Sequence, residues 1–179
     1  GKLETQNISI TMRTPGNDED LIRGFLFNER IIENMNEIDN VQHIGDPVGD
    51  YNLHNTIEAT INKTDNLDIG KLKRNFVTNS SCGVCGKTSL DSIEVLKNDK
   101  LDLSFPKIKE DIILKSPGLL MNEQSEFAKT GGIHASALIN ETGNVIATRE
   151  DVGRHNALDK LLGHSIQNGL LDPKVQFIA

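Results

Sequence analysis

The chain has 179 residues, of which 36% are hydrophobic, and a formal net charge of -7 at pH 7. This length and apolar content are enough for one ordinary hydrophobic core, so we expect one compact domain. The acidic balance argues against non-specific nucleic-acid binding, which depends on basic patches that neutralise phosphates. No apolar run is long enough to span a bilayer and no signal segment stands at the start, so we expect a cytoplasmic protein that does not bind membranes.

The first part of the chain predicts a strand, a helix and two further strands. Apolar residues alternate with polar ones over residues 8–12, as in a half-buried strand, and a Thr-Pro-Gly turn ends it. Asn17 is the predicted N-cap of a helix with an acidic first turn and an apolar stripe from Leu21 to Leu26. Residues 37–62 carry two strand-like stretches around glycine-containing turns, whereas residues 63–74 are polar and predict a loop or a short helix.

The second part of the chain alternates helices and strands on a scale of ten to fifteen residues. After a short extended piece at 101–105, Pro106 begins a predicted helix that Pro117 interrupts and that resumes over 119–127. Gly131 and Gly132 mark its end. Residues 135–139 and 145–148 predict a β-hairpin, a helix follows over 156–168, and a strand begins near residue 174. This order of elements predicts an α/β domain.

The two cysteines, Cys82 and Cys85, stand three positions apart among glycines and polar residues. A structural cysteine is usually buried among apolar neighbours, so this setting predicts an accessible loop. In a C-x-x-C pair, each sulfur can stabilise charge on the other and resolve a disulfide or persulfide formed there. The pair is therefore the candidate site of sulfur chemistry.

Three other interpretations of the cysteine pair stay open. A structural zinc site needs four ligands, but the chain has no second cysteine pair and its five histidines lack the expected spacing. A structural disulfide would close a loop of about four residues and remove little entropy from the unfolded chain. A thioredoxin-type redox site expects a helix at the motif, which Gly83 and Gly86 would weaken.

A second group of polar residues flanks the predicted hairpin, and the hairpin brings its two ends together. Gly131 and Gly132 can present backbone N–H groups to an anion, next to His134. On the other side, Arg154 and His155 stand just before a helix, whose N-terminus attracts phosphate. These residues predict a phosphate-bearing ligand. Alternatively, the glycines form an ordinary loop and the charged residues of 149–154 pair with one another on the surface.

The motifs along the chain resemble the formate dehydrogenase accessory protein family, FdhD, over essentially its whole length. The resemblance is carried by the segments at 13–16, 21–26, 81–86, 130–135 and 150–160. It implies a sulfur carrier, a sulfurtransferase of the persulfide type, which takes sulfur from a cysteine desulfurase and passes it to the molybdenum or tungsten bis-molybdopterin guanine dinucleotide cofactor. The sulfurated cofactor would then activate formate dehydrogenase. The resemblance assigns the persulfide to Cys82 and makes Cys85 its helper.

The resemblance also implies a cytidine-deaminase-like layered sheet with flanking helices. Deaminases carry a His-Ala-Glu or Cys-Ala-Glu motif followed by Pro-Cys-x-x-Cys. Here His134-Ala135-Ser136 lacks the glutamate and the cysteine pair precedes the histidine, so we expect neither hydrolytic deamination nor a metal ligand. A zinc-dependent nucleoside or nucleotide deaminase and a non-catalytic cofactor-binding chaperone are the alternative functions.

By the same resemblance, residues 1–179 form a single FdhD-like domain, truncated at both ends and lacking a C-terminal cofactor-binding segment. The cofactor would be a bound substrate, with no permanent cofactor, and its expected contacts in this chain are Gly131, Gly132, His134, Arg154 and His155. The expected protein partners are the desulfurase and formate dehydrogenase, and a homodimer would fit the family.

Overall fold

The structure, a computed structural model, describes residues 5–62, 104 and 106–179. Its elements in chain order are α1 (Asp18–Asn28), a short 3₁₀ turn (Met35–Glu37), β1 (Ile38–Ile44), β2 (Thr56–Ile61), α2 (Glu110–Glu123), α3 (Ser125–Thr130), β3 (His134–Asn140), β4 (Val145–Asp151), α4 (Arg154–Gln167) and β5 (Gln176–Ile178). The described strands form two antiparallel sheets, β1–β2 and β4–β3–β5. The mixed α/β class is thus confirmed. Cys82, Cys85 and the loop predicted at 63–74 lie outside the described residues.

The first core forms where α1 packs on the β1–β2 hairpin. Leu26, Ile31, Ile32, Ile38 and Val41 are buried together, and Ile8 packs against them from the preceding segment. The helix prediction is confirmed, since α1 starts one residue after Asn17. However, Asn17 has a left-handed backbone (φ 54°) and makes no side-chain capping bond, so it does not cap the helix in the predicted way.

The strand predicted at 8–12 is wrong. These residues form no regular element and pair with no described strand, and Ile10 and Met12 are 80% and 66% exposed. The Met12 carbonyl accepts a hydrogen bond from the Asn156 side chain, at 2.8 Å, instead of from a neighbouring strand. An alternating pattern favours a strand only where a partner edge lies alongside it.

Helices α1 and α4 pack so closely that two glycines are required at their contact. A Cβ atom built on Gly24 would lie 1.8 Å from the carbonyl oxygen of Asp159, and one on Gly163 would lie 2.0 Å from that of Asp20. Real Cβ atoms essentially never approach within 3.0 Å of another heavy atom. The contact therefore fixes α1, with its acidic first turn, against α4.

The predicted β3–β4 hairpin is confirmed, with its turn at Gly143 (φ +86°). Three consecutive residues of β3, Ala137 to Ile139, are fully or almost fully buried. Because successive strand residues point to opposite faces, both faces of β3 are covered, and α4 and α2 both contact this hairpin. The predicted C-terminal strand is β5, which pairs with β3.

The predicted interruption of the helix at Pro117 is wrong, because Pro117 lies inside the continuous α2. A proline leaves the carbonyl four residues earlier without its backbone donor. Here the Ser116 hydroxyl donates to that carbonyl, Ile113 O, at 2.8 Å. The break comes instead at Gln124, and α3 ends as predicted at Gly131, whose left-handed backbone (φ 67°) lets its N–H bond Phe127 O.

Within the described ranges, the helices are all too short or too polar to cross a membrane.

Candidate functional site

The open end of the β3–β4 hairpin gathers the residues predicted to bind an anion. The strand register places His134 opposite Asp151, with Gly131 and Gly132 just before β3 and Arg154 and His155 just after β4. All five predicted residues are exposed. The hairpin thus brings the two sequence segments to one end of the sheet, as expected.

The exposed residues at this end are compatible with an anionic ligand. No atom outside its chain neighbours would lie within 4 Å of a Cβ on Gly131, so the backbone there is open to approach. Arg154 is the first residue of the 14-residue helix α4, where unpaired backbone N–H groups and the helix dipole favour negative charge. Within the part of the chain that the structure describes, no carboxylate forms an ion pair with Arg154.

Directly behind this surface, Asp151 is fully buried and accepts four hydrogen bonds. Its Oδ1 accepts from the Gly153 N–H at 2.8 Å and from the Asn156 amide at 3.1 Å. Its Oδ2 lies 3.0 Å from the Thr14 N–H and 2.7 Å from Lys160 Nζ. A buried carboxylate is tolerated only when it is paired and hydrogen-bonded, and here both conditions hold.

Lys160 completes this network from the second turn of α4, with 1% of its side chain exposed. Its ammonium also donates to the Thr14 carbonyl at 2.8 Å, and the Thr14 hydroxyl accepts from the Val152 N–H at 2.9 Å. Residues 12–14 are therefore held to the end of β4 and to α4. We call Thr14, Asp151, Gly153, Asn156 and Lys160 the buried junction.

Residues of the buried junction belong to the sequence motifs, but the sequence assigns them no role. A signal is present, since Asn156 and Lys160 stand four positions apart beside Ala157 and Leu161, on the buried side of α4. Polar side chains on the apolar face of a helix need partners from another element. The sequence alone does not show that the partner is the segment at 12–14.

The alternative interpretation supposed that the charged residues of β4 pair with one another on the surface. The structure shows that they bond other elements instead. Arg149 Nη2 lies 2.8 Å from Asp20 Oδ2 on α1. The Glu150 carboxylate accepts hydrogen bonds from the backbone N–H groups of Glu126 and Phe127, at 2.8 and 2.9 Å. These side chains therefore attach α1 and α3 to the hairpin.

A polar cleft of about 260 Å³ lies beside the buried junction. It is lined by residues from 14–17, from the α2–α3 boundary, from β4 and from α4, among them Thr14, Glu126, Thr148, Glu150 and Lys160. The Thr148 hydroxyl is buried and finds no partner among the described residues. None of the five predicted binding residues lines this cleft, so it is a separate surface feature.

Two titratable groups of α4 have shifted pKa values. Burial raises the pKa of Asp159 from 3.8 to about 7, against the opposing hydrogen bond from Asn28. Burial also lowers the pKa of His164, as does the nearby Arg149, while Asp20 opposes the shift. Both residues contact α1, Asp159 through Asn28 and His164 through Asp20, so two groups with shifted pKa values lie at the α1–α4 contact.

Over residues 5–62, 104 and 106–179, no three His, Cys, Asp or Glu side chains are grouped so that they could hold a metal ion. The cysteine pair lies outside these ranges, so the zinc, disulfide and redox interpretations of Cys82 and Cys85 stay predictions.

Comparisons with known proteins agree with one another. The family model described as the FdhD/NarQ family matches residues 2–178. A protein named "Sulfur carrier protein FdhD" from Streptomyces avermitilis is 38% identical over 95% of this chain and 61% of its own length. A protein of the same name from Picrophilus torridus is 42% identical over 89% of this chain and 56% of its own length. The chain therefore spans little more than half the length of these curated relatives.

A solved structure supports the fold. The crystal structure of a protein assigned as a formate dehydrogenase accessory protein, from Desulfotalea psychrophila, superposes with a TM-score of 0.52. The match covers 93% of this chain and 55% of that one, at 21% sequence identity. At this identity the similarity concerns the fold.

Proposed function

The chain belongs to the FdhD/NarQ family, and we propose from this membership that it acts as a sulfur carrier in molybdenum cofactor maturation. The observation that carries the proposal is the C-x-x-C pair of Cys82 and Cys85 in a chain whose relatives are named sulfur carrier proteins. The cargo would be a single sulfur atom bound as a persulfide. As a carrier it would be regenerated after each delivery, and in this sense it would act as a persulfide sulfurtransferase.

The proposed loading step is an exchange between sulfur atoms. The Cys82 thiolate attacks the outer sulfur of a persulfide on a cysteine desulfurase, a new S–S bond forms, and the desulfurase cysteine leaves as a thiolate. One S–S bond breaks for the one that forms, so no external oxidant or reductant is needed. Cys85 would assist by resolving or stabilising the loaded sulfur.

The recipient substrate would be the bis-molybdopterin guanine dinucleotide cofactor of formate dehydrogenase. Its phosphates need cationic and N–H donors, and the open hairpin end offers Gly131, Gly132, His134, Arg154 and His155, all exposed. We propose that these residues contact a phosphate of this substrate.

The alternatives are less well supported. A deaminase would need the glutamate that Ser136 replaces, and its relatives would not be named sulfur carriers. We retain the cytidine-deaminase-like layering of the sheet as a proposal about the complete fold. A cofactor chaperone without sulfur chemistry would bind the cofactor equally well after both cysteines were removed.

Intact-protein mass spectrometry tests the carrier proposal. After incubation with a cysteine desulfurase and free cysteine, the wild type should gain the mass of one sulfur atom, and reductant should remove it. The Cys82→Ala variant should gain none, whereas Cys85→Ala, the matched control, should still load at Cys82. Equal loading of Cys82→Ala and the wild type would refute the assigned role of Cys82. Absence of loading together with bound zinc would favour a metal site.

A further inference from the structure

The buried pair of Asp151 and Lys160 lies directly behind the open hairpin end, and we propose that it positions Arg154 and His155 for their anionic ligand. Both side chains are buried, with exposed fractions of 0% for Asp151 and 1% for Lys160. Lys160 borders the polar cleft, but its ammonium is bonded to Asp151 and to the Thr14 carbonyl. The two side chains would therefore act through their neighbours rather than on the ligand, as positioning residues. This inference rests on the proposed function, because it concerns the phosphate group that the carrier's substrate would present.

The backbone of Arg154 and His155 is anchored on both sides by one oxygen atom. Asp151 Oδ1 accepts from the Gly153 N–H, which comes just before Arg154, at 2.8 Å. The same oxygen accepts from the Asn156 side chain, which comes just after His155, at 3.1 Å. Two anchors flanking two residues fix the direction in which the first turn of α4 leaves the sheet. The side chains of that turn inherit this direction.

Lys160 keeps Asp151 able to serve as this anchor. Its ammonium lies 2.7 Å from the other carboxylate oxygen, Oδ2, where it compensates the buried negative charge. Without a cation, a buried carboxylate either takes up a proton or admits water, and both changes weaken it as an acceptor. Loss of Lys160 should therefore loosen the bonds to Gly153 and Asn156, although the Lys160 ammonium bonds neither of these two residues.

Folding stability alone does not account well for this pair. Buried ion pairs can often be replaced by apolar residues of similar volume with little loss of stability, because desolvation of the two charges cancels much of their attraction. What an apolar pair cannot reproduce is the directed set of bonds to Thr14, Gly153 and Asn156. The pair's distinctive contribution is thus the geometry of the segments that it joins.

Binding of GDP to the full chain, measured by isothermal titration calorimetry, tests the inference. GDP serves as a probe that carries a guanine base and phosphates. We expect Arg154→Gln and Lys160→Met each to weaken GDP binding at least tenfold. The matched control is Lys115→Met, which removes an exposed lysine of α2 and should bind GDP as the wild type does. Circular dichroism melts define a temperature at which every variant is folded.

The double variant Arg154→Gln/Lys160→Met separates positioning from a direct or general effect. Because Lys160 is proposed to position both Arg154 and His155, the double variant should lose less GDP affinity than the sum of the two single losses. Additive losses would mean that Lys160 acts independently of Arg154, and they would overturn the inference. Unchanged GDP binding by folded Lys160→Met would overturn it too.

A second variant covers the case in which Lys160→Met does not fold. Asn156→Ala removes one of the two anchors and leaves the ion pair in place. It should also weaken GDP binding, and its effect in the Arg154→Gln background should be smaller than its effect alone. Wild-type affinity in Asn156→Ala would refute the anchoring role.

The same experiments distinguish this inference from the function on which it rests. Failure of the wild type to bind GDP, or wild-type affinity in Arg154→Gln, would overturn the proposed anion site and this inference together. A tenfold loss in Arg154→Gln with none in Lys160→Met would overturn this inference alone. Sulfur loading of the wild type at Cys82, measured by mass spectrometry, reports on the carrier function separately.

Discussion

Replacing Gly24 by alanine should force α1 and α4 apart. The new Cβ would lie 1.8 Å from the carbonyl oxygen of Asp159, whereas real contacts stay at or beyond 3.0 Å, so the helices must separate locally by at least 1.2 Å. The obstacle is backbone, which cannot rotate away as a side chain would. Overpacking of a tight contact costs about 1–3 kcal/mol, and this contact between two helix backbones belongs at the upper end of that range.

Urea denaturation followed by circular dichroism gives the free energy of unfolding of Gly24→Ala. A loss of about 3 kcal/mol corresponds to a fall in melting temperature of about 6–12 °C for a chain of this size. Gly118→Ala is the matched control, because Gly118 is also helical but has open space where its Cβ would lie. There alanine's better helix propensity should increase stability by about 0.5–1 kcal/mol.

The double variant Gly24→Ala/Gly163→Ala tests whether both glycines serve the same contact between α1 and α4. Once the first alanine has separated the helices, the second should cost less than it does alone, so the two losses should not add. A Gly24→Ala protein within about 0.5 kcal/mol of the wild type, a difference typical of neutral surface substitutions, would refute the close approach of α1 and α4.

Two further predictions concern α4 and α3. Burial raises the pKa of Asp159 from 3.8 to about 7, so ionisation of this carboxyl lowers the free energy of unfolding. This loss of stability is absent below pH 3.8, grows as the pH rises and is complete above pH 7. Asp159→Asn should therefore match the wild type in stability at pH 3.5 and exceed it by about 4 kcal/mol at pH 8 in urea denaturation. An unchanged difference across this range would contradict the pKa shift. Glu150→Gln places an amide NH₂ opposite a backbone N–H of α3 and should cost about 1–2 kcal/mol. The exposed Glu141→Gln is its control, and equal stability of the two variants would show that Glu150 does not hold α3.

Local sequence patterns determined most of the secondary structure correctly. The apolar stripe of α1, the hairpin around Gly143 and the end of α3 at Gly131 each depend on residues close together in the chain. Periodicity and turn chemistry express such local preferences directly. The motifs at 130–135 and 150–160 are local in the same sense, and they suffice to place the candidate ligand-binding residues on both sides of one hairpin.

Contacts between distant segments were decided only by the tertiary structure. The alternating pattern at 8–12 could not reveal that no described strand lies beside it. Likewise, Pro117 in the sequence could not reveal that the Ser116 hydroxyl supplies the missing hydrogen bond to Ile113 O. Gly24 and Gly163 look like weak points of two helices until the helices are seen to touch. Lys160 looks like a surface lysine until Asp151 and Thr14 surround it. In each case, the free energy depends on which group from elsewhere in the chain lies opposite, and only the folded arrangement specifies that group.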